Sequence, residues 1–556
     1  MKKIWMRAAA LIMAAVLIAG CSKPNNQGAG NTPDVTDGPV TVTAEYNYYH
    51  ELNVPDDNYR TYYEVFLYSF CDSDGDGIGD INGLISKLDY INDGDPNTDT
   101  DLGFNGIWLM PIMPSTTYHK YDVVDYYDID KEYGTLDDFK RLIEECNKRG
   151  IKLIIDFVMN HSSTQNLWFQ EAGKYLESLP KDKEPDISEC PYVEYYNFVK
   201  GDPGSNTYSR VYNSDWYYEC MFWDQMPDLN LACEPLRREL EKIVDFWLDL
   251  GVGGFRLDAA KEYYSGSNEK NIDVLTWFAD YVKGKDPDAY IVAEVWDSYR
   301  TYTQYYKSGI DSCFNFAFAK EDGKITKVLR NNTSNTAKSF GEAMITIQDE
   351  IKKNNEQGID APFLSNHDTT RAANFLTSDV TKIKMAAGMS LLMGGSAFVY
   401  YGEEIGMRGS GRDENKRAPM YWTDEASPDM CNGPIDMENV EHKFGSLEDQ
   451  MEDPLSIYNY YKMAVRLRNE NPEIARGTVS YMNEITDESV CAVEKSYENS
   501  SLYILYNITD QEKTVAIDRG SYPYEGIRGY LSTNGETAVL DGDDLLLPPY
   551  SIVILK

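Results

Sequence analysis

The stretch PLRRELEKIVDFWLDLGVGGFRLD, residues 235–258, decides the architecture. Its first part puts Leu236, Leu240, Ile243, Val244, Trp247 and Leu248 on one face at helical spacing, the pattern of an amphipathic helix packed on a core. Its second part, GVGGFRLD (251–258), is short and apolar and ends in charge. That suits a buried parallel strand with polar residues at its C-terminal end. Repeated alternation of such helices and strands implies a parallel sheet.

The same strand pattern recurs in EVFLYSF (64–70), GIWLMP (106–111), IKLIIDFVMNH (151–161), AYIVAEVW (289–296), SCFNFAF (312–318), APFLSNHD (361–368) and SAFVYYGEE (396–404). Helical segments such as LDDFKRLIEECNKRG lie between them. With 251–258 these make eight strands, and eight βα units imply a closed (β/α)8 TIM barrel. Two regions break the rhythm. Residues 162–225 are long, aromatic and irregular, as in a domain inserted after strand three. Over 469–556 the runs SVCAVEKSY, SLYILYNI, KTVAI and PYSIVILK predict a C-terminal antiparallel β-sandwich. The barrel is therefore expected over 46–161 and 226–468.

A chain of 556 residues is too long for one core. A net charge of −39 repels a phosphate backbone, so no nucleic-acid partner is expected and an anionic substrate is disfavoured. A neutral carbohydrate is compatible, and 43 tyrosines offer flat faces for sugars as well as for packing. At the N-terminus, MKKIWMR precedes AAALIMAAVLIAG, a basic and then an apolar export signal too short to span a bilayer comfortably. It ends in LIAGC, which resembles the lipobox of bacterial lipoproteins. That implies removal of the segment before Cys21 and a lipid on Cys21 itself. Residues 22–45 read as a flexible tether rich in Pro, Gly, Asn and Thr. The expectation is an exported monomer held at a membrane surface. The eight other cysteines lack metal-ligand spacing and are expected mainly as buried thiols.

One motif points to a metal. CDSDGDGIGD (71–80) sets Asp72, Asp74, Asp76 and Asp80 on a glycine-rich turn, with the Ile78 carbonyl as a main-chain ligand. Gly83 stands where an EF-hand needs a bidentate glutamate, and the preceding residues read as a strand. A metal-stiffened loop is expected, and a calcium switch is not.

Strand ends gather the candidate chemistry. Strand three ends with Asp156, Asn160 and His161, strand four with Arg256 and Asp258, strand five with Glu294, strand seven with His367 and Asp368. Arg256 and Asp258 are two apart on a strand, so both point one way, and the arginine would hold the aspartate ionised as a nucleophile. Glu294 sits among Ala293, Val295 and Trp296, apolar neighbours that raise a carboxyl pKa and keep a general acid protonated. One nucleophile and one acid about 5–5.5 Å apart are the equipment of a retaining glycosidase.

DFVMNH, MPDLN (226–230), GFRLDAAKE (254–262), AEVW and FLSNHD occur in this order, with GIWLMP and YYGEE beside them. Over about residues 50–556 they closely resemble glycoside hydrolase family 13, the α-amylase family. The resemblance implies Asp258 as nucleophile, Glu294 as acid/base and Asp368 as the third carboxylate that grips and distorts the −1 sugar. It places Arg256, His161 and His367 on that sugar, Tyr121 of HKYDVVDYYDI stacked on it, Lys261 near the acceptor sugar and Asp156 beneath the site. It also implies a cation on Asp72, Asp74, Asp76, Ile78 and Asp80. A second calcium, absent from some relatives, would sit on Asn160 and Asp228 with a carbonyl at the position of Glu262.

Ala259 after the nucleophile favours α-1,4 over α-1,6 bonds in this family. MPDLN and NDGDPNTDTDLG (92–103) look like the subgroup intermediate between oligo-1,6-glucosidases and neopullulanases, which leaves starch, malto-oligosaccharides and pullulan as substrates. The alternatives are an oligo-1,6-glucosidase, a 4-α-glucanotransferase and a non-catalytic glucan-binding lipoprotein. The presence of all three carboxylates disfavours the last. Trp216, Tyr217 and Trp223 suit either outer sugar platforms or the core of the insert, with the core favoured.

Overall fold

The computed structural model describes residues 52, 54–330 and 335–556. The export signal, Cys21 and the tether lie outside the described residues. Seven parallel strands, Thr61–Val65, Gly106–Leu109, Lys152–Phe157, Gly254–Leu257, Tyr290–Ala293, Ser312–Cys313 and Ala397–Tyr400, pair in chain order, and Ala397–Tyr400 returns to Thr61–Val65. The remaining stave is the segment around Ala361. Ala361 bridges Phe314 in parallel, and its carbonyl accepts from Asn315 N. The Pro362 carbonyl accepts from Phe398 N on the other side. The ring thus closes as a (β/α)8 barrel.

This stave is far shorter than the expected 361–368, and its neighbour is two residues long where 312–318 was expected. Side chains replace the ladder here: Asp360 accepts from Asn315 Nδ2 and from Ala361 N. The first strand also departs from expectation. It stops at Val65, and Leu67–Ser69 is a 3-10 turn. The acidic loop folds back onto that turn, with Gly79 N donating to Tyr68 O. A Cβ at Gly79 would lie 2.0 Å from Leu67 O, so only glycine permits the approach. Phe66, Leu67 and Phe70 are buried, with Tyr68 half-buried, outside any strand pairing, and a run of aromatics looks the same in either case.

Helix Glu234–Leu250 buries Leu236, Leu240, Ile243, Val244 and Trp247, with Leu248 only half-buried at the edge of the stripe. Gly251, at φ 105°, ends it in the left-handed conformation that glycine supplies at no steric cost. Aromatic rings fill the barrel. Tyr62 stacks on Tyr290 at 5.2 Å and on Phe398 at 4.8 Å, with Trp108 and Phe314 in the same cluster.

After strand three, helix Leu167–Ser178 precedes a small antiparallel sheet of Phe198–Lys200, Trp216–Glu219 and Tyr208–Arg210. The C-terminal region has a five-stranded antiparallel sheet, Thr478–Tyr481, Val490–Tyr497, Ser500–Asn507, Ser551–Leu555 and Ile527–Ser532, and a three-stranded one. Alternation buries both faces of the larger sheet: Cys491, Val493, Ile504 and Ile552 join the main core, while Val490, Ala492, Leu505 and Val553 form a second one with Leu545 and Leu547. All eight cysteines among the described residues are buried thiols. No helix among these residues is long and apolar enough to cross a membrane.

Candidate active site

Strand Gly254–Leu257 carries Arg256, wholly buried, toward the carboxyl end of the barrel. Its Nη1 donates to both oxygens of Asp156 at 2.9 Å and to Asp258 Oδ1 at 2.7 Å. Its Nη2 donates to Glu294 Oε2 at 2.8 Å. The sequence suggested an arginine dedicated to Asp258. The structure shares it among acids from three neighbouring strands, because parallel strands in register bring their ends to one level. Asp258 and Glu294 therefore lie on the two terminal nitrogens of one planar group. Burial pushes Glu294 up to about 7, against the pull of Arg256 and with help from Asp258 and Asp368. Ala259 N also donates to Glu294 Oε2 at 3.1 Å, from a backbone at φ 46°, an uncommon conformation outside glycine.

Asp368 is held from two sides. His367 Nε2 lies 2.9 Å from Oδ2, and Arg417 Nη2 donates to Oδ1 at 2.8 Å. Burial alone would raise Asp368, but His367 and Arg417 hold it far below the usual carboxylate range. The Tyr121 hydroxyl donates to Asp156 Oδ2 at 3.1 Å and sits 2.7 Å from His367 Nε2. His161 is buried, which lowers its pKa, and its Nε2 has no partner among the described residues. Lys261 pairs with Asp297 at 2.8 Å.

Asp258, Glu294, Asp368, Tyr121, His161 and Lys261 all line one cleft of about 480 Å3. A second hollow of about 680 Å3 shares His119, Trp223, Asp413 and Arg417 with it, so the trough continues past Asp368. Asp156, Arg256 and His367 lie beneath, in contact with the lining residues. Residues 64–477 match the family model described as alpha amylase, catalytic domain.

The chain belongs to the alpha-amylase family.

Alpha-amylase 3 of Dictyoglomus thermophilum is 36% identical over 512 residues, 92% of this chain and 95% of that protein. The solved structure of Eubacterium rectale Amy13B is 48% identical with a TM-score of 0.88, covering 93% of this chain and 99% of that one. The oligo-1,6-glucosidase of Parageobacillus thermoglucosidasius is 29% identical, over 81% of this chain and 90% of that protein. This alpha-amylase family member is accordingly an enzyme, a glycoside hydrolase.

The three aromatics that suited either sugar platforms or the core of the insert separate. Trp216 is buried in the insert, Tyr217 is half-buried, and Trp223 is 44% exposed and lines the cleft. Phe222 and Trp296 join Trp223 on the wall, and Trp296 stacks on Phe316 at 4.9 Å. Sequence reasoning did not single out Arg417, Glu64 or Phe222 as site residues. Arg417 lies on a loop beyond strand eight, and Glu64 is the last residue but one of strand Thr61–Val65, a strand that the sequence pattern extends to residue 70.

In the acidic loop, Asp72, Asp74 and Asp80 bring one oxygen each within 4.8 Å of one another. Asp76 is not in this group, and its carboxylate accepts from Ile78 N. Asp80 also accepts from Gly83 N as the cap of helix Ile81–Ser86. Three carboxylates this close repel one another, and an oxygen-only donor set suits a hard cation, so the residues fit calcium. Asn160 and Asp228 are hydrogen-bonded to each other, Nδ2 to Oδ1 at 3.3 Å, and burial pushes Asp228 up to about 7.

Proposed function

We propose that this enzyme is a retaining α-glucan hydrolase of the α-amylase type, cleaving α-1,4-glucosidic bonds of starch, malto-oligosaccharides or pullulan. The observation that carries this is the Arg256 bridge between Asp258 and Glu294, a geometry suited to carboxyl groups about 5–5.5 Å apart. Asp258, held by Arg256 Nη1, attacks the anomeric carbon while Glu294, protonated through burial, gives its proton to the leaving oxygen. Glu294 then takes a proton from water, which displaces Asp258 from the glycosyl-enzyme. Arg256 Nη2 stabilises the charge that appears on Glu294 between the two steps. Asp368 accepts sugar hydroxyl protons from a fixed position, and the unpartnered His161 Nε2 supplies a donor or acceptor to the same sugar. Trp223, Phe222 and Trp296 offer apolar faces to outer sugars.

The trough extends past Arg417, which supports occupation on both sides of the scissile bond and attack inside a chain. Similarity to an oligo-1,6-glucosidase keeps that activity, or 4-α-glucanotransfer, as the second reading. Timed product analysis separates them. A spread of malto-oligosaccharides appearing early from amylose is expected. Glucose alone from panose and isomaltose, with amylose untouched, would overturn the α-1,4 assignment, and lengthened chains from maltoheptaose would indicate transfer.

The loop of Asp72, Asp74 and Asp80 would hold a calcium ion, which would stiffen it away from the chemistry. Export and a lipid on Cys21 would hold the enzyme, as a monomer, at a membrane surface. Labelled-palmitate incorporation that Cys21→Ser fails to abolish would remove the lipid assignment.

A further inference from the structure

Glu64 belongs to strand Thr61–Val65 and is 1% exposed. Its Oε1 lies 2.6 Å from His367 Nδ1 and 3.4 Å from the His367 backbone N. Across the ring, His367 Nε2 meets Asp368 Oδ2 at 2.9 Å. Each ring nitrogen thus faces a carboxylate. An ionised carboxylate only accepts hydrogen bonds, and a neutral imidazole has one N–H to give. A neutral ring would leave one of the two contacts between an acceptor and a bare nitrogen. A ring with protons on both nitrogens satisfies both.

The surroundings complete an alternation of charge. Arg417 Nη2 holds the other oxygen of Asp368, and Arg417 Nε donates to the His367 carbonyl at 3.2 Å. The Tyr121 hydroxyl lies 2.7 Å from Nε2 and donates to Asp156 Oδ2 at 3.1 Å, where Arg256 Nη1 also donates. Trp108 packs edge-to-face with the ring at 5.7 Å, and Tyr121 stacks on it at 5.6 Å. Burial pushes the Glu64 carboxyl up and the His367 contact pulls it down, and with Glu64 ionised the four residues Glu64, His367, Asp368 and Arg417 form a row of alternating sign that ends at the cleft. Burial opposes a charged imidazole, but Asp368 and Glu64 outweigh it and raise His367 to about 9.

We propose that Glu64 is a positioning residue that keeps His367 an imidazolium and, through that ring, fixes Asp368 ionised and aimed into the cleft. This rests on the role given to Asp368 above. The protonation of the ring is readable whether or not that role holds, so the two can fail separately.

The test is selective 15N-histidine labelling of the full chain, which has five histidines, with His367→Asn used to assign the signal. Both His367 nitrogens are expected to be protonated at pH 7.5. Glu64→Gln keeps an oxygen for Nδ1 and removes the charge. It should move loss of the second proton down by roughly one pH unit or more and lower kcat on amylose roughly 10- to 100-fold, with a smaller change in KM. Glu64→Asp, which retains the charge, should recover the doubly protonated ring. A singly protonated His367 in the wild-type enzyme at pH 7.5 overturns the proposal, even if Glu64→Gln fails to fold. So does a fall in kcat with the ring titration unmoved, which would reduce Glu64 to packing.

Discussion

Arg256 and Arg468, both buried, lie at opposite ends of the barrel in opposite company. Arg256, at the carboxyl end, touches Asp156, Asp258 and Glu294. Burial disfavours its charge, yet the acids hold its pKa well above normal. Arg468, on helix Ile457–Glu470, makes no ion pair among the described residues. Its Nη1 donates to the Leu391 and Met393 carbonyls at 2.7 Å, and its Nη2 donates to the Gly395 carbonyl. Burial lowers it to about 9. It clips the chain that enters strand Ala397–Tyr400 at that strand's N-terminal end. Lys495, from the C-terminal sheet, does similar work with Nζ on the Ile474 carbonyl at 2.6 Å. The lesson is that a buried cation is read by its partners: acids beside a cleft indicate chemistry, and carbonyls at the closed end indicate stability.

The hardest way to break that contrast is Asp258→Asn. Hydrolysis should fall by about 10^4-fold or more, with the fold retained because Arg256 keeps Asp156 and Glu294. Near-normal turnover would remove the catalytic half of the comparison. Glu294→Gln should cost about 10^3-fold on amylose but far less on an aryl glycoside whose leaving group needs no proton, and equal losses on both substrates would reject the acid role. At the other end, Arg468→Met strands three buried carbonyls and should cost about 3 kcal/mol or more of stability. It should leave kcat of the folded enzyme unchanged, and a kcat loss matching that of the acid variants would erase the distinction.

A pH profile sharpens the picture further. In the proposed mechanism Glu294 acts in its protonated form, and its pKa is raised to about 7. Activity should therefore hold below neutrality, and kcat/KM should drop about tenfold per pH unit above about 7. An alkaline limb that Glu294→Gln leaves in place would belong to another group. The smallest effect concerns the acidic loop: chelation should lower Tm by a few degrees, roughly 1–3 kcal/mol of linkage, with kcat at 25 °C unaltered. An unmoved Tm after thorough chelation would count against the cation.

Much of this was legible in the residues. The periodicity of 235–250, the apolar strands and their charged ends point to a barrel and to Asp258, Glu294 and Asp368, because strand polarity and side-chain alternation are local properties. The lengths of strands one, six and seven were misjudged because burial by tertiary packing and burial by sheet pairing leave the same apolar run. The shared use of Arg256 was also missed, since two-residue spacing reports only the partner on the same strand.

Local pattern was enough for the order of the elements and the end of the barrel that carries acid residues, and the family resemblance added the role of Asp368. Ring closure was needed for the partnerships. It sets Glu64 against His367 across 303 positions of chain, closes Arg417 onto Asp368, and brings Asp156, Asp258 and Glu294 to one guanidinium. Such meetings depend on which staves become neighbours in space, and spacing along the chain carries no record of them.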